Sequence, residues 1–307
     1  MNDIENALLA KFGYATVKIA GEFLSAEKGE RVKTVSELEE IYHFSRGTTQ
    51  NALKVLKDLK AINTISKGNQ GTILLEKNDA ILLAIMGIKT VVGCMPLPYS
   101  KRYEGLATGL ISCIEEKSGV TSNIVFSRGA SVRTNMILNG RCDYIITSKL
   151  AGENIFKNNN NLEIIKEFGP GSYLSDHVII FNSSDAKDIM DGMKIGIDNE
   201  SYDQSRLVKT VCENKRVEYI NVYYPNLLKK VFSGDIDATV WNKDEIFDKY
   251  LDINYKIINK DSDDTNAVMI VKKDRKELAT FLKKYINIDY VNKKAKLVIE
   301  GLEIPKY

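Results

Sequence analysis

The sequence predicts an α/β protein whose short N-terminal part is mostly α-helical and whose longer C-terminal part alternates strands with helices. Three observations predict this organisation. Two helix-capping patterns lie close together between residues 34 and 48, strand-like runs alternate with helical segments beyond residue 77, and a Gly-x-x-Asp pattern occurs twice in that second part. A chain of 307 residues exceeds one comfortable hydrophobic core, so more than one domain is expected.

The composition is that of an ordinary soluble globular protein, with 44% hydrophobic and 27% charged residues. The first residues carry charges on both sides of a short apolar run, unlike a secretory signal, and no run approaches the roughly 18 apolar residues of a membrane span. We therefore expect a cytoplasmic protein with no membrane contact. The four cysteines form no C-x-x-C pair, which favours buried thiols over zinc ligands or disulfides.

Two adjacent helices are predicted near the N-terminus. Thr34 and Glu37 have the spacing of a capping box, which predicts a helix from Val35. Ser45 can cap a second helix, in which apolar residues recur at three- and four-residue spacing over Ala52–Leu59. The short polar residues before that stripe are expected to be exposed at the helix N-terminus, where a recognition helix touches bases.

A wing is predicted directly after the second helix. Ile62–Ser66 and Gly71–Leu75 are β-rich runs separated by a turn at Lys67–Gln70. Helix, turn, helix and wing together predict a winged helix-turn-helix that places its second helix in the major groove of double-stranded DNA. The residues predicted to contact DNA are Thr34, Ser45, Arg46, Gly47, Thr48, Thr49, Gln50, Asn51, Lys54, Lys67 and Asn69.

The charge distribution agrees with a nucleic-acid-binding face. Residues 46–70 hold five basic residues and one acid, a net charge of +4, whereas residues 22–40 hold six acids and three bases, a net charge of −3. Such polarity presents one face to phosphates and turns the other away. Two ordinary solvated faces would give the same counts, so the helical spacing, and not the charge, supports the DNA-binding prediction.

The residues from Thr34 to Leu75 resemble a GntR-type winged helix, through Ser45-Arg46, Ala52-Leu53 and Gly71-Thr72. The segments Gly29–Leu59 and Met95–Leu110 together resemble the YhfZ group of predicted regulators, and that similarity covers most of the chain. The resemblance implies a DNA-binding regulator. Gln50 stands where GntR-type proteins commonly have arginine, and Gln50 and Asn51 are suited to reading adenine.

The C-terminal part is predicted to form βαβ units on a largely parallel sheet. Met136–Ser148 and Lys230–Asn242 each pass from a helix end through Gly-x-x-Asp into an apolar strand. The two copies resemble the two-lobed fold of type II periplasmic-binding-protein-like sensors, in which two crossing segments act as a hinge. We therefore expect a winged helix-turn-helix domain at 1–77 and an effector-binding domain at 78–307, with lobe one at about 88–150 plus 264–307 and lobe two at about 151–263.

A ligand site is predicted in the cleft, because ligands of open α/β sheets gather at strand C-termini and helix N-termini. Basic and hydroxyl groups in lobe one facing acids and an indole in lobe two predict a small anionic or zwitterionic ligand. In the structural alternative, Arg128 pairs with a structural acid, Asp198 caps the next helix and Trp241 is core. The predicted ligand-binding residues are Pro98, Tyr99, Ser100, Arg128, Gly129, Ser131, Ser148, Lys149, Asp198, Ser201, Asp203, Trp241 and Asn242.

No catalytic group, metal site or cofactor is predicted. Neither His43 nor His177 has an evident nucleophile partner in the sequence, and no phosphate-binding fingerprint occurs. Asp261, Asp263 and Asp264 lack the glycine and glutamate of a calcium loop, so a solvated turn is favoured. The main hypothesis is a homodimeric transcriptional regulator; the alternatives are a metabolite-converting enzyme with a tethered winged helix and a solute-binding transport component.

Overall fold

The computed structural model describes residues 11–248, 252–258 and 264–307, and it forms two compact units. Of the described residues, the first unit comprises 11–91 together with 114–121 and 276–285, and the second comprises the others. Helix and sheet are mixed, as predicted. No helix among the described residues is long and apolar enough to cross a membrane.

The first unit contains the winged helix-turn-helix. Its sheet has the order β1-β3-β2, with antiparallel pairing throughout. The elements are α1 (Lys11–Ser25), β1 (Arg31–Val32), α2 (Val35–Tyr42), α3 (Arg46–Asp58), β2 (Ile62–Ser66), β3 (Thr72–Lys77) and α4 (Asp79–Ile85).

Helix α2 begins at the predicted capping box. The Thr34 amide donates to Glu37 Oε2 at 2.7 Å, and the Glu37 amide donates to Thr34 Oγ1 at 3.3 Å. The bond from the Thr34 amide, aided by Arg31, lowers the pKa of Glu37 to about 2. The helix ends at His43, whose φ of 55° turns the chain into the second helix. Ala52 and Leu56 are buried as predicted, whereas Leu59, predicted as core, is 50% exposed.

A helix from the C-terminal part of the sequence completes the first unit. Helix α11 (Lys276–Tyr285), predicted as part of lobe one, packs on α1 and buries residues that include Leu278 and Phe281. Close approach is possible because α1 has Gly21 opposite Glu277. The Tyr285 hydroxyl donates to the buried carboxylate of Asp79 at 2.7 Å.

Two five-stranded sheets form the two lobes of the second unit. In lobe one the order is β5-β4-β6-β13-β7, and in lobe two it is β10-β9-β11-β8-β12. The strands of lobe one are β4 (Thr90–Met95), β5 (Thr121–Phe126), β6 (Tyr144–Ser148), β7 (Leu162–Glu167) and β13 (Ala267–Lys272). The strands of lobe two are β8 (His177–Phe181), β9 (Lys194–Ile197), β10 (Glu218–Asn221), β11 (Ala238–Asn242) and β12 (Tyr255–Ile257).

Helices cover the sheets of both lobes. The sequence predicted alternating strands and helices, and the lobes also contain antiparallel strands, β13 against β6 and β8 against β11. The helices are α5 (Lys101–Ser118), α6 (Ala130–Leu138), α7 (Lys149–Asn158), α8 (Tyr202–Val211), α9 (Tyr224–Phe232), α10 (Lys243–Asp248) and α12 (Ile288–Ile299).

The two Gly-x-x-Asp copies form the same clamp in the two lobes. Gly140 and Gly234 end helices with φ of 69° and 78°, a conformation that favours glycine. Asp143 accepts from the Val92 amide at 2.9 Å and its own amide donates to Val92 O at 2.7 Å. Asp237 makes both bonds to Lys194, each at 2.7 Å. Each clamp therefore fixes the strand that leaves the glycine against its parallel neighbour.

The boundary predicted between the lobes at residue 150 is wrong. Helix α7 covers the lobe-one sheet, and β7 pairs with β13 in that sheet. The chain therefore first crosses at about 168–176. The Tyr173 amide donates to Thr265 O at 2.8 Å, so the two crossing segments are bonded to each other. Pairing of β7 with a strand about one hundred residues later left no local signal in the sequence.

Candidate functional site

The N-terminal turns of α3 expose a group of polar side chains. Ser45 caps the helix, since its hydroxyl accepts from the Thr48 amide at 3.3 Å. Thr48 is half-buried and its hydroxyl lies 2.8 Å from that of Ser45. The predicted DNA-contacting residues that are exposed along this helix are Arg46, Gly47, Gln50, Asn51 and Lys54.

Thr49 does not belong to this exposed group, so its predicted contact with DNA is wrong. It is 0% exposed, and its hydroxyl donates to Ser45 O at 3.2 Å. Thr49 precedes Leu53 by four residues and Leu56 by seven, which places it on the apolar stripe of α3. That spacing could have revealed its burial.

The wing and Thr34 complete the predicted DNA-binding set. Lys67 is exposed at the end of β2, and a 3₁₀ turn at Gly68–Gln70 leads into β3. The side chain of Asn69 lies outside the part of the chain that the structure describes. Thr34 is half-buried with its hydroxyl in the capping box, so its main role in the structure is to start α2.

A cavity lies in the cleft between the lobes, with a volume of about 830 Å³ including its open mouth. Eight of the predicted ligand-binding residues line it, together with residues that sequence reasoning missed. The predicted residues are Tyr99, Arg128, Gly129, Asp198, Ser201, Asp203, Trp241 and Asn242. The missed residues include Tyr103, Arg133, Thr147, Tyr173, His177, Gln204, Tyr224 and Glu245.

The other five predicted residues do not line this cavity. The Ser148 hydroxyl caps α7 by accepting from the Ala151 amide at 3.0 Å, and Lys149 pairs with Glu167 at 3.3 Å. Ser100 is buried ahead of α5, and Ser131 lines a separate groove on the surface. Pro98 is half-buried between cavity residues Leu97 and Tyr99.

Arg133 is the buried cation of the cavity. It is 3% exposed, its guanidinium donates to Ser127 O at 2.9 Å, and its Nε atom has no partner. It forms no ion pair with a carboxylate among the described residues. A buried charge without a counterion is costly, and a guanidinium binds carboxylates with high geometric specificity. Arg133 shares a face of α6 with Ile137, a pattern that could have indicated an inward-facing arginine.

Asp203 supplies a buried acceptor from lobe two. It lies in the first turn of α8, and its Oδ2 accepts from the Ser148 hydroxyl of lobe one at 2.5 Å. Its Oδ1 is buried without a partner. Burial raises the pKa of Asp203, against the opposing effects of the Ser148 bond and the charge of His177.

Aromatic rings form much of the cavity wall. Tyr224 stacks on Trp241 with ring centroids 4.1 Å apart and an angle of 5°, and Tyr99 of lobe one lies 6.2 Å from Tyr224. Tyr103 and Tyr173 meet edge to face at 5.1 Å. Trp241 is therefore both core and cavity wall, since it is 2% exposed and lines the cleft.

Asp198 and Arg128 have different relations to the cavity. Both oxygens of Asp198 accept from backbone amides, those of Glu200 at 3.0 Å and of Tyr224 at 2.8 Å, so it caps α9. Arg128 is half-buried and stacks over the Tyr223 ring at 4.5 Å, without an ion pair among the described residues. The structural acid suggested for Arg128 by the structural alternative is therefore not found there.

Several contacts join the lobes across the cleft. Arg102 of α5 pairs with Asp244 of α10 at 3.0 Å, and the Lys101 amide donates to Asp248 at 2.6 Å. The Ser148–Asp203 bond adds a third connection. The lobes are therefore held together over the cavity.

The structure also gives the positions of the two histidines and of Asp264. His43 lies in the turn between α2 and α3, and His177 Nδ1 lies 3.0 Å from Asp264 Oδ2 at the crossing segments. Asp264 is buried, so the solvated turn predicted for it is wrong. Asp261 and Asp263 lie outside the described residues. All four cysteines are buried free thiols, as predicted.

Comparison with known proteins identifies the family. Residues 78–307 match the YhfZ C-terminal domain, and residues 27–74 match a helix-turn-helix domain. The chain belongs to the YhfZ family. YhfZ of Escherichia coli K12 is 32% identical over 239 residues, which cover 78% of this chain and 77% of that protein. A helix-turn-helix joined to a YhfZ domain indicates a DNA-binding regulator.

Solved structures show the fold of the YhfZ domain. YhfZ from Shigella flexneri is 29% identical and matches with a TM-score of 0.61, over 74% of this chain and 97% of that one. The methionine-binding protein MetQ matches with a TM-score of 0.53 at 13% identity, over 71% and 98% of the two chains. The second likeness shows the fold alone, which is that of periplasmic binding proteins, as predicted.

Proposed function

We propose that this protein is a cytoplasmic transcriptional regulator whose two-lobed domain senses a small anionic or zwitterionic metabolite. Two copies bind one operator, each winged helix reading a half-site, with half-sites separated by one helical turn of about 34 Å. The GntR-like pattern of α3 and the wing supports this mode of binding.

The exposed polar start of α3 carries the DNA-binding part of the proposal. Gln50 and Asn51 protrude from a helix whose other face is buried through Ala52 and Leu56. Side-chain amides in this position can make paired hydrogen bonds with the edge of adenine. The exposed Arg46, Lys54 and Lys67 supply charges for phosphates.

The unpaired Arg133 carries the sensing part. Its Nε atom is buried in a cavity that both lobes line, so an incoming carboxylate or phosphate would satisfy a donor that the protein leaves free. The ligand changes operator affinity only to the extent that it binds the closed and open lobes differently. A small molecule retained by the purified protein, detected by mass spectrometry, tests this part.

The DNA-binding role is tested by selecting a preferred duplex from a random pool with the full chain. Gln50→Ala should lose about 1–3 kcal/mol of discrimination at one base pair. Lys54→Ala should weaken binding to all duplexes and lower the salt dependence by about one unit of slope. Both changes are measured by fluorescence anisotropy at several salt concentrations.

Thr49→Ser provides the internal control for this test. Because Thr49 is buried, its substitution should change stability and leave base discrimination intact. Equal losses on selected and random duplexes for Gln50→Ala would remove the base-reading role. Failure of the wild-type protein to enrich any sequence would overturn the regulator itself.

A further inference from the structure

The cavity is small once the lobes are closed. The bonds Arg102–Asp244 and Ser148–Asp203 hold the lobes together over it, and the enclosed space is about 110 Å³. An apolar cavity of about 150 Å³ accepts benzene. The enclosed space therefore fits only a compact molecule, with any longer group directed to the mouth.

Two buried polar groups of opposite charge face this space from opposite lobes. Arg133 of lobe one has a free Nε donor, and Asp203 of lobe two has a free Oδ1 acceptor. Neither forms an ion pair with an oppositely charged side chain among the described residues. A ligand that satisfies both must carry an anionic group and an N–H or O–H donor a short distance apart.

We propose that the cavity binds a small α-amino acid, its carboxylate on Arg133 and its ammonium group on Asp203. This proposal rests on the proposed sensing function and narrows its ligand to one chemical class. The ligand joins the two lobes by ionic bonds, which supplies the differential affinity that favours closure. The side chain lies against the Tyr224 and Trp241 rings and extends towards the open mouth of the cavity.

The free oxygen of Asp203 distinguishes this class from other zwitterions. Aromatic walls also suit quaternary ammonium groups, which interact with ring faces. A quaternary ammonium has no N–H, so it would leave Asp203 Oδ1 buried and unsatisfied. Glycine betaine should therefore bind weakly although its size and charges resemble those of a small amino acid.

The test uses the full chain and the fluorescence of Trp241, the single tryptophan of the sequence. Titrations with glycine, L-alanine, L-serine, L-valine and L-methionine are compared with those of propionate, ethylamine and glycine betaine. At least one of the first five should saturate. The members of the second group should bind about 10- to 100-fold more weakly, because each loses a charged hydrogen bond.

Variants show whether binding occurs at the proposed groups. Arg133→Met and Asp203→Asn should each weaken the best ligand about 10- to 100-fold. The exposed Arg206→Met and Asp235→Asn of lobe two should leave its affinity unchanged. Isothermal titration calorimetry and circular dichroism verify affinity and folding. If both cavity variants bind as tightly as the wild type, the assignment of the two groups is wrong.

Failure of this inference differs from failure of the sensing function. If no amino acid binds but mass spectrometry finds another small molecule in the purified protein, the ligand class is wrong and sensing stands. If nothing binds and operator affinity is insensitive to cell metabolite extracts, both the inference and the sensing function fail.

Discussion

The two lobes share one plan and differ in the chemistry they give to the cleft. In each sheet the strand with the clamp, β6 or β11, lies between a parallel neighbour and an antiparallel one, and the Asp143 and Asp237 clamps bind the parallel neighbour in the same way. Lobe one nevertheless contributes Arg133, whose Nε atom has no partner, whereas lobe two contributes Asp203 and the Trp241–Tyr224 stack. The scaffold is thus repeated, and the chemistry of the cleft depends on side chains that differ between the lobes.

Core packing also differs at matched positions. The residue after Val92 of the first clamp is Gly93, which pairs with Tyr144. The residue after Lys194 of the second clamp is Ile195, which pairs with Ala238. Each lobe therefore combines one large and one small side chain, with the order reversed. A Cβ on Gly93 would lie 2.4 Å from Tyr144 Cζ, so the glycine makes room for the buried ring.

The largest loss of stability is expected from filling the space that Gly93 leaves for the Tyr144 ring. Gly93→Ile should destabilise lobe one by about 1–3 kcal/mol or more through overpacking. The double variant Gly93→Ile with Tyr144→Ala copies the lobe-two pair and should recover part of that loss. Urea unfolding followed by far-ultraviolet circular dichroism measures both. If the double variant is less stable than Gly93→Ile, the pair of one large and one small side chain is not interchangeable between the two lobes.

The clamps give the next largest effect. Asp143→Ala and Asp237→Ala each leave a strand amide without its acceptor, so each should lose about 1–3 kcal/mol of unfolding free energy. The backbone bonds are alike, so the two losses in urea unfolding should be similar, with a slightly larger loss for Asp143→Ala because Asp143 also pairs with Arg275 at 3.5 Å. A loss in one variant and none in the other would contradict the equivalence of the two clamps.

The smallest change in stability is expected from removing the charge of Asp203, and it depends on pH. Burial raises the pKa of Asp203 above its ordinary 3.8, so its ionised form destabilises the fold at neutral pH and this penalty fades as pH falls through the raised pKa. Asp203→Asn should therefore be more stable than the wild type near neutral pH, with an advantage that shrinks in acid. Urea unfolding across this pH range measures the difference.

Asp235 provides a control of opposite sign in the same lobe. Its bond to Lys230 lowers the pKa of Asp235, so Asp235→Asn should lose a small stabilising contribution that is present at neutral pH and lost in acid. The same pH trend in both variants would mean that the trend does not come from burial of Asp203.

Local patterns in the sequence predicted local structure well. The capping box at Thr34, the Ser45 cap and the glycines of the two clamps involve residues within a few positions of each other, so their geometry is set by spacing. Thr49 was predicted to be exposed because it is polar, but its position on the apolar stripe of α3 determines its burial. The family and the fold class were also predicted, and the comparisons confirm both.

The cleft was predicted only in part because its chemistry depends on distant pairing. The search of segments at the ends of predicted strands included eight residues that line the cavity, among them Asp203 and Trp241. Arg133 and Tyr224 were missed because they lie on helices, where an inward-facing polar residue resembles a surface one in a single sequence. The assignment of 151–176 to lobe two was wrong because β7 is held by β13 near the C-terminus.

Helix α11 has a consequence for any attempt to exchange parts of this protein. It packs on α1 although it lies some 250 positions further along the chain, so the unit that contains the winged helix-turn-helix is assembled from two distant parts of the sequence. A chimaera that grafted residues 11–77 onto a foreign sensor would expose the apolar surface of α1 that α11 covers, and would be prone to aggregation. A workable graft would have to bring Lys276–Tyr285 with it.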